Sequence, residues 1–490
     1  MSKSTLKRNL GLQTFYQIVI TITPLITSPY LSRVLRPEGL GVYSYTQSLV
    51  NCFMLFAMLG FVNYGTRAIA TTRHDSKRRL VFWEIYHLQF FIGIISTICF
   101  LFFALSQSEI SHFLLFQIFW VVGCIFDATW YFFGREDFKT TVLRNLIIKM
   151  LTIVSIFIFV RDPSDIGKYI LIMSLSHLIS SIVIWPKILK SEKYSRFTWE
   201  GSRKHIKPVL ILFVPILAMS IYTIMDKMML GALSDSMQSG YYYNSDKIVN
   251  IPLGIINGIG TVMLARISAE KANRGNDNAI KLIKKSMKII ICASVVLCFG
   301  IAAVSNDFIP LFFGDGYDPC INLVKLFSIV IIMKTISSIL RTQYLVPFKK
   351  EKIFIISVAT GSIANIIANL ILIKLCNLGA LGATIGTLVA EFIVSSLELI
   401  LISKHVNFLP DVAKIVPYSI IGAIMLLIVM FVSASVHINI FVKIILEIII
   451  GGAAFVAMMY LFLKIRDEET LVLFMNLIPK KWRKNEKNHR

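Results

Sequence analysis

The sequence predicts an all-helical protein that crosses a membrane about fourteen times, and three observations carry that prediction. Hydrophobic residues make up 56% of the chain and charged residues 16%, well under the roughly 25% charged of a soluble domain. Mean hydropathy is +0.71, so polar side chains are too few to coat a water-soluble body of 490 residues. The apolar residues gather into fourteen stretches, each reaching the ~20 residues that a bilayer-spanning helix needs. The segments between them are short and leave no room for a soluble catalytic domain.

The spans are placed at 10–34, 38–61, 80–105, 111–133, 142–160, 165–186, 208–232, 240–265, 286–305, 319–340, 353–374, 378–403, 415–434 and 438–463. The first follows a short basic segment and runs past signal-peptide length with no small-residue cleavage site, so it reads as a retained span. Spans 1 and 7 carry Pro24 and Pro215, and each is followed by a turn with an aromatic opening, Gly39 to Tyr45 and Ser239 to Ser245. Interrupted helices at matching positions of two halves are a mark of duplicated transporter bundles. The expected organisation is a bundle over 1–205, a second over 206–410, appended spans over 411–465 and a basic tail over 466–490. Seven scattered cysteines form no CxxC or Cys/His cluster, so neither a metal site nor a disulfide framework is expected.

The net charge of +22 is distributed in a telling way. With a cytoplasmic N-terminus, 40 of the 50 Lys and Arg residues fall in inner loops, their flanks and the tails. That alternation is the positive-inside rule, with both termini cytoplasmic. It accounts for the basic balance together with anionic membrane lipids, and nucleic acid is not needed.

Polar stripes mark helix faces that must turn away from lipid. Span 1 offers Gln13 and Gln17, span 2 Gln47 and Asn51, span 8 Asp246, Asn250 and Asn257, and span 11 Ser357, Gly361, Asn365 and Asn369. Residues four apart share a helical face, and stripes in both halves point to a shared polar cavity. Intramembrane charges are expensive and so are functional candidates: Asp127, Asp226, Lys227, Asp246, Lys247, Lys334, Glu391 and Glu398. Glu84 reads as structural, and Lys443 and Glu447, four apart, are expected to pair with each other.

Several motifs resemble one family. Ile224-Met-Asp-Lys-Met-Met-Leu-Gly231, Gly240-Tyr-Tyr-Tyr-Asn-Ser-Asp-Lys-Ile248 and Ile251-Pro-Leu-Gly254, running on to Arg266, look like the middle of Wzx-type polysaccharide flippases. Leu31 to Tyr43, Asn63-Tyr-Gly-Thr-Arg67, Asp127-Ala-Thr-Trp130 and Phe133-Gly-Arg-Glu136 are similar to its earlier signatures. Ala265 stands where proline is expected. The resemblance covers the whole chain. It implies the multidrug/oligosaccharidyl-lipid/polysaccharide exporter fold, with helical bundles that alternate between inward- and outward-open states. It implies an undecaprenyl-diphosphate-linked oligosaccharide as substrate, moved to the outer leaflet of the bacterial plasma membrane, with the polysaccharide polymerase and assembly machinery as further partners.

A diphosphate needs cations in low dielectric. Lys227, Lys247 and Lys334 are the first candidates, with Arg33 and Arg67 behind them. The amides of the four stripes would meet sugar hydroxyls. The chain shows no Walker-type loop and no cofactor motif, so turnover is expected to use H+ or Na+, or product consumption. Glu391 is the first coupling candidate because no base lies within four positions of it, followed by Asp127, Asp226 and Asp246. A lipid II flippase or cation-coupled drug exporter of the same fold is the nearest alternative. A membrane glycosyltransferase or polymerase would need a large loop with paired carboxylates or a metal motif, and the sequence has none.

Overall fold

The computed structural model describes residues 3–72, 74–436 and 438–477, without the side chains of 3–18, 20, 21, 221, 222, 476 and 477. Among the described residues the chain is helical throughout, and twelve helices are long and apolar enough to cross a membrane, or thirteen with one bent pair. Many large apolar side chains point outward, among them Phe102, Leu151, Leu427, Phe431 and Ile449. Such a surface is stable against lipid and not against water. This is a multi-pass membrane protein.

Fewer spans are counted than the expected fourteen because the first two run on as one helical segment, α1 (Lys3–Met58). That segment breaks at Arg36, where φ is 58°, just before Pro37. Proline disfavours the helical region for the residue before it and lacks an N–H for the ladder. Fifty-six unbroken helical residues would measure about 84 Å, nearly three times a ~30 Å hydrocarbon core, so the break is what such a segment requires.

The chain divides into two compact units, Met1–Tyr243 with Asn369–Ala380, and Asn244–Ala368 with Leu381–Arg490. In the first, α1 is followed by α2 (Phe61–Thr71), α3 (Asp75–Ser106), α4 (Ser111–Phe116), α5 (Ile118–Phe126), α6 (Thr129–Gly134), α7 (Phe138–Phe159), α8 (Ile166–Ile182) and α9 (Trp185–Ser191), and it packs against α3, α4, α5, α7 and α8 while α2 packs against α6. The long α10 (Trp199–Leu233) lies against α1, α2 and α3 and so belongs to this unit by packing. It bends by 50° between Ser220 and Thr223.

One break in the first unit shows how backbone is satisfied at membrane depth. The fourth expected span interrupts at Asp127 and Ala128. Gln89 Nε2 donates to the freed carbonyls of Cys124 and Asp127 at 2.8 and 2.9 Å, and its Oε1 accepts from Trp130 Nε1 at 2.9 Å. Trp185 Nε1 takes the Phe126 carbonyl at 2.9 Å. Around this knot Phe61, Phe82, Trp83, Tyr86, Trp130 and Tyr131 form an aromatic core. Glu84, as expected, is structural: it accepts from Lys204 at 2.7 Å and lies 3.1 Å from His205 Nε2.

In the second unit, which takes α11 (Ser236–Arg274) from residue 244 on, α12 (Asn276–Phe313) packs along α13 (Asp318–Ile339). The chain continues through α14 (Glu351–Asn369), α15 (Gly379–Ser403), α16 (Leu409–Val412), α17 (Ile415–Ser435), α18 (Ile440–Arg466) and α19 (Glu468–Leu477). The expected Lys443–Glu447 pair is replaced by a tertiary one. Lys443 donates to Asp307 of α12 at 3.0 Å, and Ser433 of α17 donates to the same carboxylate at 2.8 Å. One carboxylate thereby ties both C-terminal helices to the bundle.

Candidate functional site

Two polar nodes, one in each unit, hold five of the eight intramembrane charges singled out in the sequence. In the first unit Asp226 is buried on α10. Its Oδ1 accepts from Asn369 Nδ2 at 2.6 Å and its Oδ2 from the Tyr242 hydroxyl at 2.8 Å. Asn369 closes α14 where the chain passes into the π-helical turn Leu370–Leu375, which packs on α10. Lys227, next along α10, holds its ammonium 5.6 Å from the centre of the Tyr243 ring. Three residues singled out separately, Asp226, Lys227 and Asn369, thus meet around consecutive tyrosines.

The second unit brings Lys334 of α13 within 3.6 Å of the buried Glu391 of α15. Glu391 therefore has a base opposite it, although its own helix supplies none. One turn pair further along α15, Glu398 is buried with Ser337 and Arg341 as neighbours. Lys334 and Arg341 are seven apart, as are Glu391 and Glu398, so two basic positions of one helical segment run beside two acidic ones.

The remaining candidates are more dispersed. Gln47 and Asn51 bond to each other at 3.0 Å, as do Asn250 and Asp246 at 2.7 Å, each pair along one helix face. Asn257 is exposed and accepts from Ser338 at 2.8 Å, while Asn365 is buried. Gly361 of the same stripe lies tight against Val394, so that part of the stripe packs helices together. Arg33 caps the Pro29 carbonyl of its own helix at 2.9 Å, Arg67 is exposed, and Lys247 is half-buried on α11. The side chains of Gln13 and Gln17 lie outside the described residues. Asp127 caps α6: its carboxylate accepts from the Thr129 backbone at 2.9 Å and from the Thr129 hydroxyl.

Sequence reasoning missed a third feature, a cavity of about 440 Å³ inside the first unit. Trp120, Asp127, Arg144, Asn145, Lys149 and His177 are among its lining residues. Neither Arg144 nor Lys149 is among the sequence candidates, although Lys149 is the twelfth of the 22 residues of α7. The four-residue step from Asn145 to Lys149 was the available signal.

A profile of the family described as polysaccharide biosynthesis protein matches residues 6–269. Two curated relatives bear the name "Putative O-antigen transporter". The one from Escherichia coli (strain K12) is 25% identical over 415 residues, covering 82% of this chain and 98% of its own. The one from Shigella dysenteriae is 23% identical over 380 residues, covering 76% and 93%. Among solved structures, the lipid II flippase MurJ in an inward closed conformation superposes with a TM-score of 0.71 at 17% identity, over 93% of this chain and 98% of that one. An inward-facing multidrug resistance MATE family transporter superposes at 0.59 and 13% identity, over 83% and 98%. These two share the fold.

Proposed function

Because this chain belongs to the polysaccharide biosynthesis protein family, we propose that it is a transporter that flips undecaprenyl-diphosphate-linked oligosaccharides from the cytoplasmic to the outer leaflet of the bacterial plasma membrane. The observation that carries the reading is the family match, extended over 82% of the chain by the E. coli relative named "Putative O-antigen transporter". Fourteen spans follow if the Arg36 break separates two crossings and the bent α10 makes one more. The duplicated bundles 1–205 and 206–410, with 411–465 appended, then move by alternating access.

Lys334 and Glu391 supply a coupling device. A diphosphate that takes Lys334 as its counter-ion deprives Glu391 of that base. A buried carboxylate without a partner is costly, so a proton or sodium ion takes the place of Lys334. Release of the diphosphate outside restores the pair and frees the ion, so the exchange carries the ion outward with the substrate and consumption of the product outside supplies the net drive. Asp226, held by Asn369 and Tyr242 beside Lys227, is the second place where ion and diphosphate charge would meet.

The test is complementation of an E. coli strain deleted for its O-antigen flippase, read as the lipopolysaccharide ladder. The wild-type chain restores the ladder when its glycan is made in the same cells. Lys334→Gln and Asp226→Asn abolish it at equal membrane abundance. Restoration of growth after loss of the lipid II flippase, with no ladder, would instead assign the substrate of the MurJ-like fold.

A further inference from the structure

The cavity of the first unit is unused by the reading above, and its chemistry is unlike a packing defect. Lys149 stands halfway along a membrane helix, about 18 Å from its start, where an unneutralised ammonium is strongly disfavoured. Among the described residues it has neither a carboxylate within ion-pair distance nor a hydrogen-bond acceptor. His177 Nε2 is likewise buried without a hydrogen-bond partner. Its ring stacks on Trp120 with centroids 4.6 Å apart and planes at 26°. Arg144 is held in place by two bonds to Asn145 Oδ1, at 3.0 and 2.8 Å. The volume, about 440 Å³, falls within the roughly 300–1,000 Å³ of small-molecule sites.

The mixture of groups narrows the ligand. Two basic side chains and an imidazole call for an anion. Asp127, on the same wall, repels a bare phosphate and accepts hydrogen bonds from hydroxyl groups. Trp120 supplies an aromatic lining residue, with His177 stacked on its ring. A compact ring that carries both hydroxyls and one carboxylate satisfies all of these at once. We infer that this cavity is a subsite for an acidic sugar, with Lys149 as the counter-ion of the sugar carboxylate and Asp127 as an acceptor for its hydroxyls. As a statement about the transported glycan it rests on the proposed function: the repeat unit contains a uronic or similar acid, read inside the first unit, apart from its diphosphate.

The experiment uses the purified full-length protein in detergent, with tryptophan fluorescence as readout and D-glucuronate, D-glucose and inorganic phosphate as probes. Glucuronate is expected to quench saturably, with glucose and phosphate at least tenfold weaker. In Lys149→Gln the glucuronate midpoint rises at least tenfold, Lys149→Arg returns it toward wild type, and Trp120→Phe removes the signal. Equal binding of phosphate, equal binding of glucose, or unchanged glucuronate binding by Lys149→Gln would each overturn the assignment. Binding is measured without any lipid-linked substrate, so a failed complementation leaves this result standing, and a failed titration leaves the flippase reading standing.

Discussion

At the scale of residues, the Lys334–Glu391 pair separates what a chain position shows from what packing adds. Glu391 attracted attention for having no base within four positions, and that remains true of α15. Its base comes from α13, 57 positions earlier, which no local spacing can reveal. Removing one partner of a buried pair leaves an uncompensated charge and costs about 3–5 kcal/mol, whereas replacing both by apolar groups of similar size is often close to neutral. Glu391→Met is therefore expected to lower the thermal midpoint of the detergent-solubilised protein by several degrees. The double variant Lys334→Met/Glu391→Met recovers most of that loss yet exports no polysaccharide. A double variant no more stable than the single one would show that the pair does not bear on the fold in this way. Asp226 illustrates the opposite case. The charge was legible at once, but its anchoring by Asn369 depends on a helix end 143 positions away.

At the scale of elements, the two aromatic helix openings read as related parts of a repeat come into direct contact. A Cβ on Gly41 would lie 1.6 Å from the Ser236 carbonyl oxygen, and one on Gly240 would lie 1.9 Å from that of Pro37. Both obstacles are backbone, so neither can swing aside as a side-chain tip would. The likeness of Gly39–Tyr45 to Ser239–Ser245 is legible in the sequence; that the two segments touch each other is not. Overpacking typically costs about 1–3 kcal/mol and more against rigid atoms. Gly41→Ala and Gly240→Ala are each expected to cut membrane abundance severalfold, read by immunoblot, while Ala at Gly452, which faces open space, changes little. Gln89 makes a related case at the Asp127 break, where Gln89→Leu orphans two carbonyls in the bundle interior. An unsatisfied buried group costs about 1–3 kcal/mol, so a lower thermal midpoint is expected, with Gln89→Glu losing the same donors. The motif Asp127-Ala-Thr-Trp130 flagged the place, but helix periodicity cannot show a break only two residues long.

At the scale of the whole molecule, the number of crossings decides which loops lie inside, and parity makes it measurable. The fold class was legible because apolar length and composition are properties of the chain alone. The exact count was not, because it depends on whether Arg36 and the bend in α10 each mark a reversal or a kink. If residues 22–71 crossed only once, Lys77 would lie across the membrane from the N-terminus, and the five basic residues from Arg67 to Arg79 would be placed outside, against the positive-inside rule. If α10 turned back without crossing, Ser236 would lie on the same side as Arg196. Its 35 residues measure about 52 Å along the axis, enough to cross a ~30 Å core with room for the bend. Reporter fusions that distinguish cytoplasm from the outside are expected to place the N-terminus, Lys77, Arg196, Lys271, Lys350 and the C-terminus within the cell. Gln107, Ser236 and Asp315 are expected outside. Lys77 opposite to the N-terminus would remove the Arg36 reversal, and Ser236 on the side of Arg196 would remove the seventh crossing. Either result alone would invert every later loop and set the basic segments that follow against the field that orients them.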